Sequence, residues 1–377
     1  MDKAVCTIIS KNYLPQARTL FKSLAARHPG IPFYVLLVDR LDGYFEPGRE
    51  SFKVVALDQL EIPNLPAMSF QYNILEFNTA VKPYLLRYLF KTTGAQKLIY
   101  LDPDIFVYRP LDLIFGLLDT NNAVVIPHLL NLDIEKQDPM EIIVMQCGTY
   151  NLGFIALRQS GVTDKFLKWW CRRMENGCFS APSEGLFVDQ KWVDLAVGMY
   201  EKFYILQEPG YNVAYWGLRQ RAISRASGGY EADGKPLVFF HFSGYDPHKP
   251  RTISKYDPEN TELLPGSALE EIFEGYRKEL VQNGLEVCEK WPYAFGSFAN
   301  GAKITPEMRR YYALHKHEKE IFLNRPFDTE APDSFYQSYL RQNGAARDWK
   351  TYAAVIRYHL QRLISKTAFK ILLRGKR

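Results

Sequence analysis

The sequence predicts an α/β chain, a mostly parallel sheet covered by helices on both faces, followed by a mainly helical stretch. Three observations predict it. Short β-branched apolar runs alternate with longer segments in helical period from Ala4 to about Arg158. Those runs are apolar throughout rather than every second residue, the pattern of strands buried on both faces. From about Asp257 strand signals give way to helices and aromatic-rich turns. A boundary therefore falls near residues 250–260, with 1–255 as the main domain and 256–377 as a C-terminal extension.

The elements follow in order. "AVCTIIS" is a first strand, and "NYLPQARTLFKSLAARHPG" is a helix closed by Pro29-Gly30. "PFYVLLVD" and "FKVVALD" are the next strands. "FNTAVKPYLLRYLFKTTG" is a helix leading into the strand "KLIYLD". "NAVVIP" and "YNLGFIALR" are further strands, and "TDKFLKWWCRRMEN" is a helix. "SEGLFVDQKWVDLAVGMY" opens a helix or turn, "FYILQEPGYNVAYWG" is extended, and "PLVFFHFSG" is an apolar strand. Beyond the boundary, "ALEEIFEGYRKELVQNG" and "DWKTYAAVIRYHLQRLISKTAFKILLR" have helical period.

The 377 residues, 47% hydrophobic and 24% charged, are the composition of a soluble globular chain. "MDKAVCTIIS" lacks the apolar run of a signal peptide, and no window of about 20 residues is free of charge. Five scattered cysteines without a C-x-x-C pair fit a reduced, cytoplasmic setting. The net charge of +5 is concentrated at the end, where residues 361–377 hold six basic residues and no acidic one, leaving the rest near −1. A nucleic-acid groove across the main body is therefore not expected.

The chemistry is densest at "LIYLDPDIFVYRPL". Asp102 and Asp104 are two apart, so in extended backbone their side chains leave on one face. Pro103 cannot donate to a ladder, so strand pairing stops there, at the strand end where open α/β sheets bind ligands. Two converging carboxylates repel unless a cation joins them, and such oxygen ligands suit Mg²⁺, Mn²⁺ or Ca²⁺. A solvated D-P-D turn is the competing explanation. "LVFFHFSGYDPHKP" ends a second apolar strand at His241, then offers Gly244, where backbone can approach phosphate, and Lys249. An imidazole beside two carboxylates favours Mn²⁺ over Mg²⁺.

The ordered segments "TIISKNYLPQARTLFKSL", "AVKPYLLRYLF", "YLDPDIFVYRPL", "YNLGFIALR", "VDQKWVDL", "PGYNVAYW" and "HFSGYDPHKP" resemble nucleotide-sugar glycosyltransferases of the GT-A fold. They are most similar to the retaining family 8 group, which includes glycogenin and lipopolysaccharide galactosyltransferases. The resemblance covers about residues 4–250 and implies a Rossmann-like, mostly parallel mixed sheet. It also implies a divalent metal, a nucleotide-sugar donor with UDP-sugars favoured, and a glycan or lipid-linked acceptor in bacterial cell-surface polysaccharide synthesis. By the same resemblance Asp102, Asp104 and His241 hold the metal. Tyr13 stacks on the base in a pocket lined by Ile9 and Ser10, and Lys82 reaches the diphosphate or the sugar. Asn151 and Gly153 form the sugar pocket, Asp189 and Gln190 flank the donor sugar as catalytic residues, and Gly244 with Lys249 form the phosphate corner. The family's H-x-x-G-x-x-K-P is longer here, H-x-x-G-x-x-x-x-K-P.

Local readings compete with these roles. Tyr13 also fits a cap of the first helix, Lys82 a solvated helix-start charge, Asn151 and Gly153 a strand end and bulge, and Asp189 a helix N-cap. An inverting transferase would use Asp189, Glu208 or Asp246 as general base, and a catalytically silent carbohydrate-binding or scaffold protein would keep the fold. A nucleotidyltransferase would want an early glycine-rich loop, which "SKNYLPQARTL" lacks. In residues 360–377 a basic stripe of Arg362, Lys366, Lys370 and Arg374 opposes an apolar face. It suits either peripheral contact with the inner face of the cell membrane or docking on the body.

Overall fold

The computed structural model describes residues 2–131, 138–257, 259 and 261–343. The basic stripe at 360–377 and the helical segment from Asp348 onward lie outside the described residues.

Seven strands form the central sheet. They include β1 (Lys3–Ile9), β2 (Phe33–Leu37), β3 (Lys53–Ala56) and β4 (Lys97–Leu101). After the short β5 (Ile105–Val107), which lies outside this sheet, come β6 (Ala123–Val125), β7 (Phe154–Arg158) and an edge strand at Phe203–Ile205. Their order is edge strand, β6, β7, β4, β1, β2, β3. Only β7 runs against its neighbours β4 and β6, so the sheet is mixed and mostly parallel. This is the predicted fold class.

Burial explains the unbroken apolar runs. In β1, Cys6 and Ile8 enter the core on one face, while Val5 and Ile9 enter the core on the other. Helix α1 (Leu14–Ala25) covers one face with Leu14, Ala17, Leu20 and Leu24. After the short α2 (Leu65–Gln71), the other face is covered by α3 (Ile74–Ala80), α4 (Lys82–Thr93) and the helix Gly161–Gly177. The single helix expected over "FNTAVKPYLLRYLFKTTG" breaks at Val81. Pro83 has no N–H to donate and its ring crowds the carbonyl four residues back, so it is accommodated in the first turn of a new helix. Asn73 and Glu76 cap α3 reciprocally.

The C-terminal helices pack on this body. Helix Ala268–Gln282 meets α1 through Lys22–Glu279 at 2.7 Å, and Asn283 Nδ2 just beyond it donates to Thr19 Oγ1 at 2.9 Å. The buried guanidinium of Arg309 donates to the carbonyls of Phe70, Tyr72 and Phe295, tying helix Pro306–His315 to the end of α2. All five cysteines are unpaired. Among the described residues no helix is long and apolar enough to cross a membrane.

Candidate active site

The two carboxylates and the histidine meet because a second, two-stranded sheet brings them together. Asp102 follows β4, Asp104 precedes β5, and β5 pairs antiparallel with Phe239–His241 so that His241 faces Ile105. His241 Nε2 lies 3.1 Å from Asp104 Oδ1 and 3.8 Å from Asp102 Oδ2, and one ligand atom from each residue fits within 4.8 Å of the others. The carboxylates are partly open, with side-chain exposures of 29% and 25%, while His241 is buried. Burial pulls the His241 pKa down, but the charge and hydrogen bond of Asp104, and then Asp102, more than offset it, and the net shift is upward. Tyr100 Oη donates to Asp102 Oδ1 at 2.6 Å and so fixes that carboxylate.

Gly153 lies directly against the histidine. A Cβ there would be 2.4 Å from His241 Cε1 and 2.8 Å from both His241 Nδ1 and Asn151 Oδ1. Its carbonyl accepts from Asp102 N–H at 2.7 Å, so the same residue also sets the backbone of the first aspartate. Asn151 is locked in turn. Its Oδ1 accepts from Gly153 N–H (3.1 Å) and Asn212 Nδ2 (3.0 Å), which leaves its own amide to donate to His128 Nε2 at 3.3 Å. That bond requires His128 neutral, and burial holds its pKa down to about 4. The indole of Trp216 stands edge-on to His128 and to His241, with ring centroids at 5.0 and 5.4 Å.

A buried ion pair stands beside this cluster. Lys82 Nζ is 2.6 Å from Asp189 Oδ2, donates to Leu152 O at 2.6 Å and lies 4.4 Å from the centroid of the Tyr100 ring. Both side chains are fully buried, so Lys82 is not a solvated helix-start charge. Asp189 sits at the N-terminus of the helix Gln190–Met199 but makes no capping bond, since its carboxylate turns to the lysine. Burial raises the Asp189 pKa, Lys82 opposes the rise, and Asp102 adds to it, which places Asp189 within electrostatic reach of the metal-type cluster. Gln190 is engaged at both ends, its oxygen accepting from Leu152 N–H at 3.4 Å and its amide donating to Cys147 O at 2.9 Å.

The remaining predicted residues divide. Tyr13 is 41% exposed and within electrostatic reach of the cluster; the protein packed around it raises its pKa, and the carboxylate of Asp104, the Tyr256 phenol and Asp102 raise it further. Ser10 Oγ donates to Asn12 Oδ1 at 2.6 Å. The side chain of Ile9 is packed in the core, so only its backbone is free to line a pocket. Gly244, at φ +73°, follows His241 closely. Lys249 sits on an exposed turn and is not brought to the cluster by any contact among the described residues. Tyr100, His128, Asn212 and Trp216 were not singled out from sequence. Tyr100 had a readable signal, lying two residues before Asp102 and so on the same strand face; the other three had none beyond Asn212 and Trp216 falling in "PGYNVAYW".

No family model matches the chain. It is 28% identical over 263 residues to the uncharacterized protein YfnF of Bacillus subtilis (strain 168), spanning 65% of this chain and 82% of that protein. Among solved structures it is similar to the galactosyltransferase LgtC in complex with donor and acceptor sugar analogs. That match has 19% identity and a TM-score of 0.42 over 74% of this chain and 95% of that one. It is also similar to the glycosyltransferase GlyE of Streptococcus pneumoniae TIGR4, at 14% identity and a TM-score of 0.42 over 79% and 67% of the two chains.

Proposed function

We propose that this chain is a metal-dependent glycosyltransferase that moves a sugar from a nucleoside-diphosphate donor to a glycan or lipid-linked acceptor, with residues 1–255 as the catalytic domain. The observation that carries the reading is the convergence of Asp102, Asp104 and His241 at the end of the sheet, within 4.8 Å of one another. The set suits a divalent ion: two partly open carboxylate oxygens and a buried imidazole whose ring is held by Gly153 and Trp216. Mn²⁺ is favoured over Mg²⁺ by the imidazole.

When bound, such an ion supplies positive charge against the negative charge that builds on a departing diphosphate. The chain's own residues do the rest. Tyr100 holds Asp102 by a donated hydrogen bond, and Gly153 spaces Asp102 and His241. Lys82 neutralises Asp189 and orients its carboxylate, so that the pair offers a fixed dipole near the place where a sugar develops oxocarbenium character. Tyr13, 41% exposed and within electrostatic reach of the cluster, is the aromatic on which a base would stack. The sequence resemblance supports a UDP-linked donor, retention of configuration and a role in cell-surface polysaccharide synthesis at the cytoplasmic side.

The test is transfer or hydrolysis of a panel of nucleotide sugars with Mn²⁺, with Mg²⁺ and after exhaustive chelation. Turnover is expected with Mn²⁺, is lost on chelation, and returns when Mn²⁺ is restored; turnover that persists in chelator sinks the metal role. Anomeric configuration of the product by NMR decides between retention and inversion.

A further inference from the structure

The segment after His241 carries Lys249 on an exposed turn. Lys249 N–H donates to Asp246 O and its carbonyl accepts from Thr252 N–H, each at 2.9 Å, and its ammonium makes no hydrogen bond or ion pair among the described residues. A second lysine comes back to the corner instead. Residues 254–256 return alongside 243–244: Ser254 Oγ donates to Ser243 O at 2.8 Å, and Lys255 N–H donates to Gly244 O at 3.0 Å. Gly244 is what permits this close return. Its φ is +73°, and a Cβ there would lie 2.5 Å from Ser254 Oγ and 2.5 Å from Tyr256 Cδ2.

The ring packed on Gly244 then places the charge. The Lys255 ammonium lies 5.0 Å from the centroid of Tyr256, which limits the freedom of an otherwise exposed side chain while leaving it charged. The corner is tied to the carboxylates through the backbone: Phe242 N–H, between His241 and Gly244, donates to Asp104 O at 2.8 Å. Two carboxylates repel a diphosphate, so a diphosphate docking beside them gains from a side-chain cation at the rim as well as from a divalent ion.

We propose that Lys255, held by Gly244 and Tyr256, is the cation that meets the diphosphate of the donor, and that Lys249 is a surface residue. This rests on the glycosyltransferase reading above. The longer spacing of the H-x-x-G-x-x-x-x-K-P segment is then accounted for, because the functional lysine is supplied by the returning segment 254–256 rather than by the turn at 246–250.

Calorimetric titration of the full chain in Mn²⁺ with UDP, GDP and ADP, each paired with its nucleoside, tests this, with Mn²⁺ binding alone measured on every variant. Lys255→Met is expected to weaken the bound nucleoside diphosphate by about 10-fold or more without altering the nucleoside or Mn²⁺ affinity, Lys255→Arg to recover most of the loss, and Lys249→Met to bind like wild type. A loss in Lys249→Met with none in Lys255→Met overturns the assignment, as does a loss in neither. A folded wild type that binds none of the three diphosphates overturns the glycosyltransferase reading and the proposal together. Thermal melts of each variant establish that it is folded.

Discussion

Gly153→Ala puts the geometry of the carboxylate–histidine cluster to the hardest test, because the added methyl points at the buried ring of His241. The new Cβ would lie 2.4 Å from His241 Cε1, where carbon atoms rest at about 3.5–4 Å, so roughly 1 Å of movement is required. The histidine has little room to give it. Trp216 stands edge-on at 5.4 Å, and His241 N–H is tied to Val213 O at 2.8 Å. If Gly153 retreats instead, its carbonyl pulls on Asp102 N–H, now at 2.7 Å. Overpacking of this kind costs about 1–3 kcal/mol of stability. Metal ligands must hold position to about 0.2 Å, so Mn²⁺ affinity should fall by about 10- to 100-fold. Electron paramagnetic resonance of free Mn²⁺ during titration, with urea unfolding on the same sample, measures both quantities. Gly161→Ala is the control, since its Cβ would meet nothing within 4 Å. A folded Gly153→Ala protein with wild-type Mn²⁺ affinity would falsify the claim that His241 and Asp102 bind one ion through this contact.

Two further outcomes follow from the buried charges. His128 titrates at about 4 in the folded chain against 6.5 for the free side chain, so the unfolded state takes up the proton first. Its contribution is therefore complete above pH 6.5 and is lost as pH falls toward 4, by about 3 kcal/mol in total. His241 shifts the opposite way, so the comparison is with His128→Asn, whose urea midpoints should fall less steeply between pH 7 and 4.5; parallel curves for the two proteins would refute the neutral, hydrogen-bond-accepting His128. Lys82→Met leaves Asp189 buried without its cation and should cost about 3–5 kcal/mol. Adding Asp189→Leu should restore much of that loss in thermal or urea unfolding, whereas a double variant with the summed losses would show that the two side chains do not act as a pair.

The contrast between these residues explains what sequence could and could not supply. Asp102 and Asp104 were legible because a strand repeats every two residues, so their spacing alone puts them on one side, and Pro103 marks where pairing must stop. His241 was legible as a polar residue ending an apolar run, although the pairing of Phe239–His241 with β5, which turns two separate signals into one site, had no local mark. Lys82 and Asp189 were named through the resemblance, yet read locally they were a helix-start charge and an N-cap, and both local explanations fail for one reason. A helix-start lysine or an N-cap aspartate is worth about 1 kcal/mol to its own helix, whereas leaving either charge buried alone costs several. The pairing across the fold therefore overrides the local preference. His128, Asn212 and Trp216 go one step further from legibility. Each matters through its contact with Asn151 or His241, and an interaction that exists only between distant side chains leaves no periodic trace in the residues around it. The same reasoning separates Lys255 from Lys249: spacing from His241 favours the nearer lysine, but position in the fold depends on which segment returns to Gly244, and that is set by the absence of a side chain at one residue.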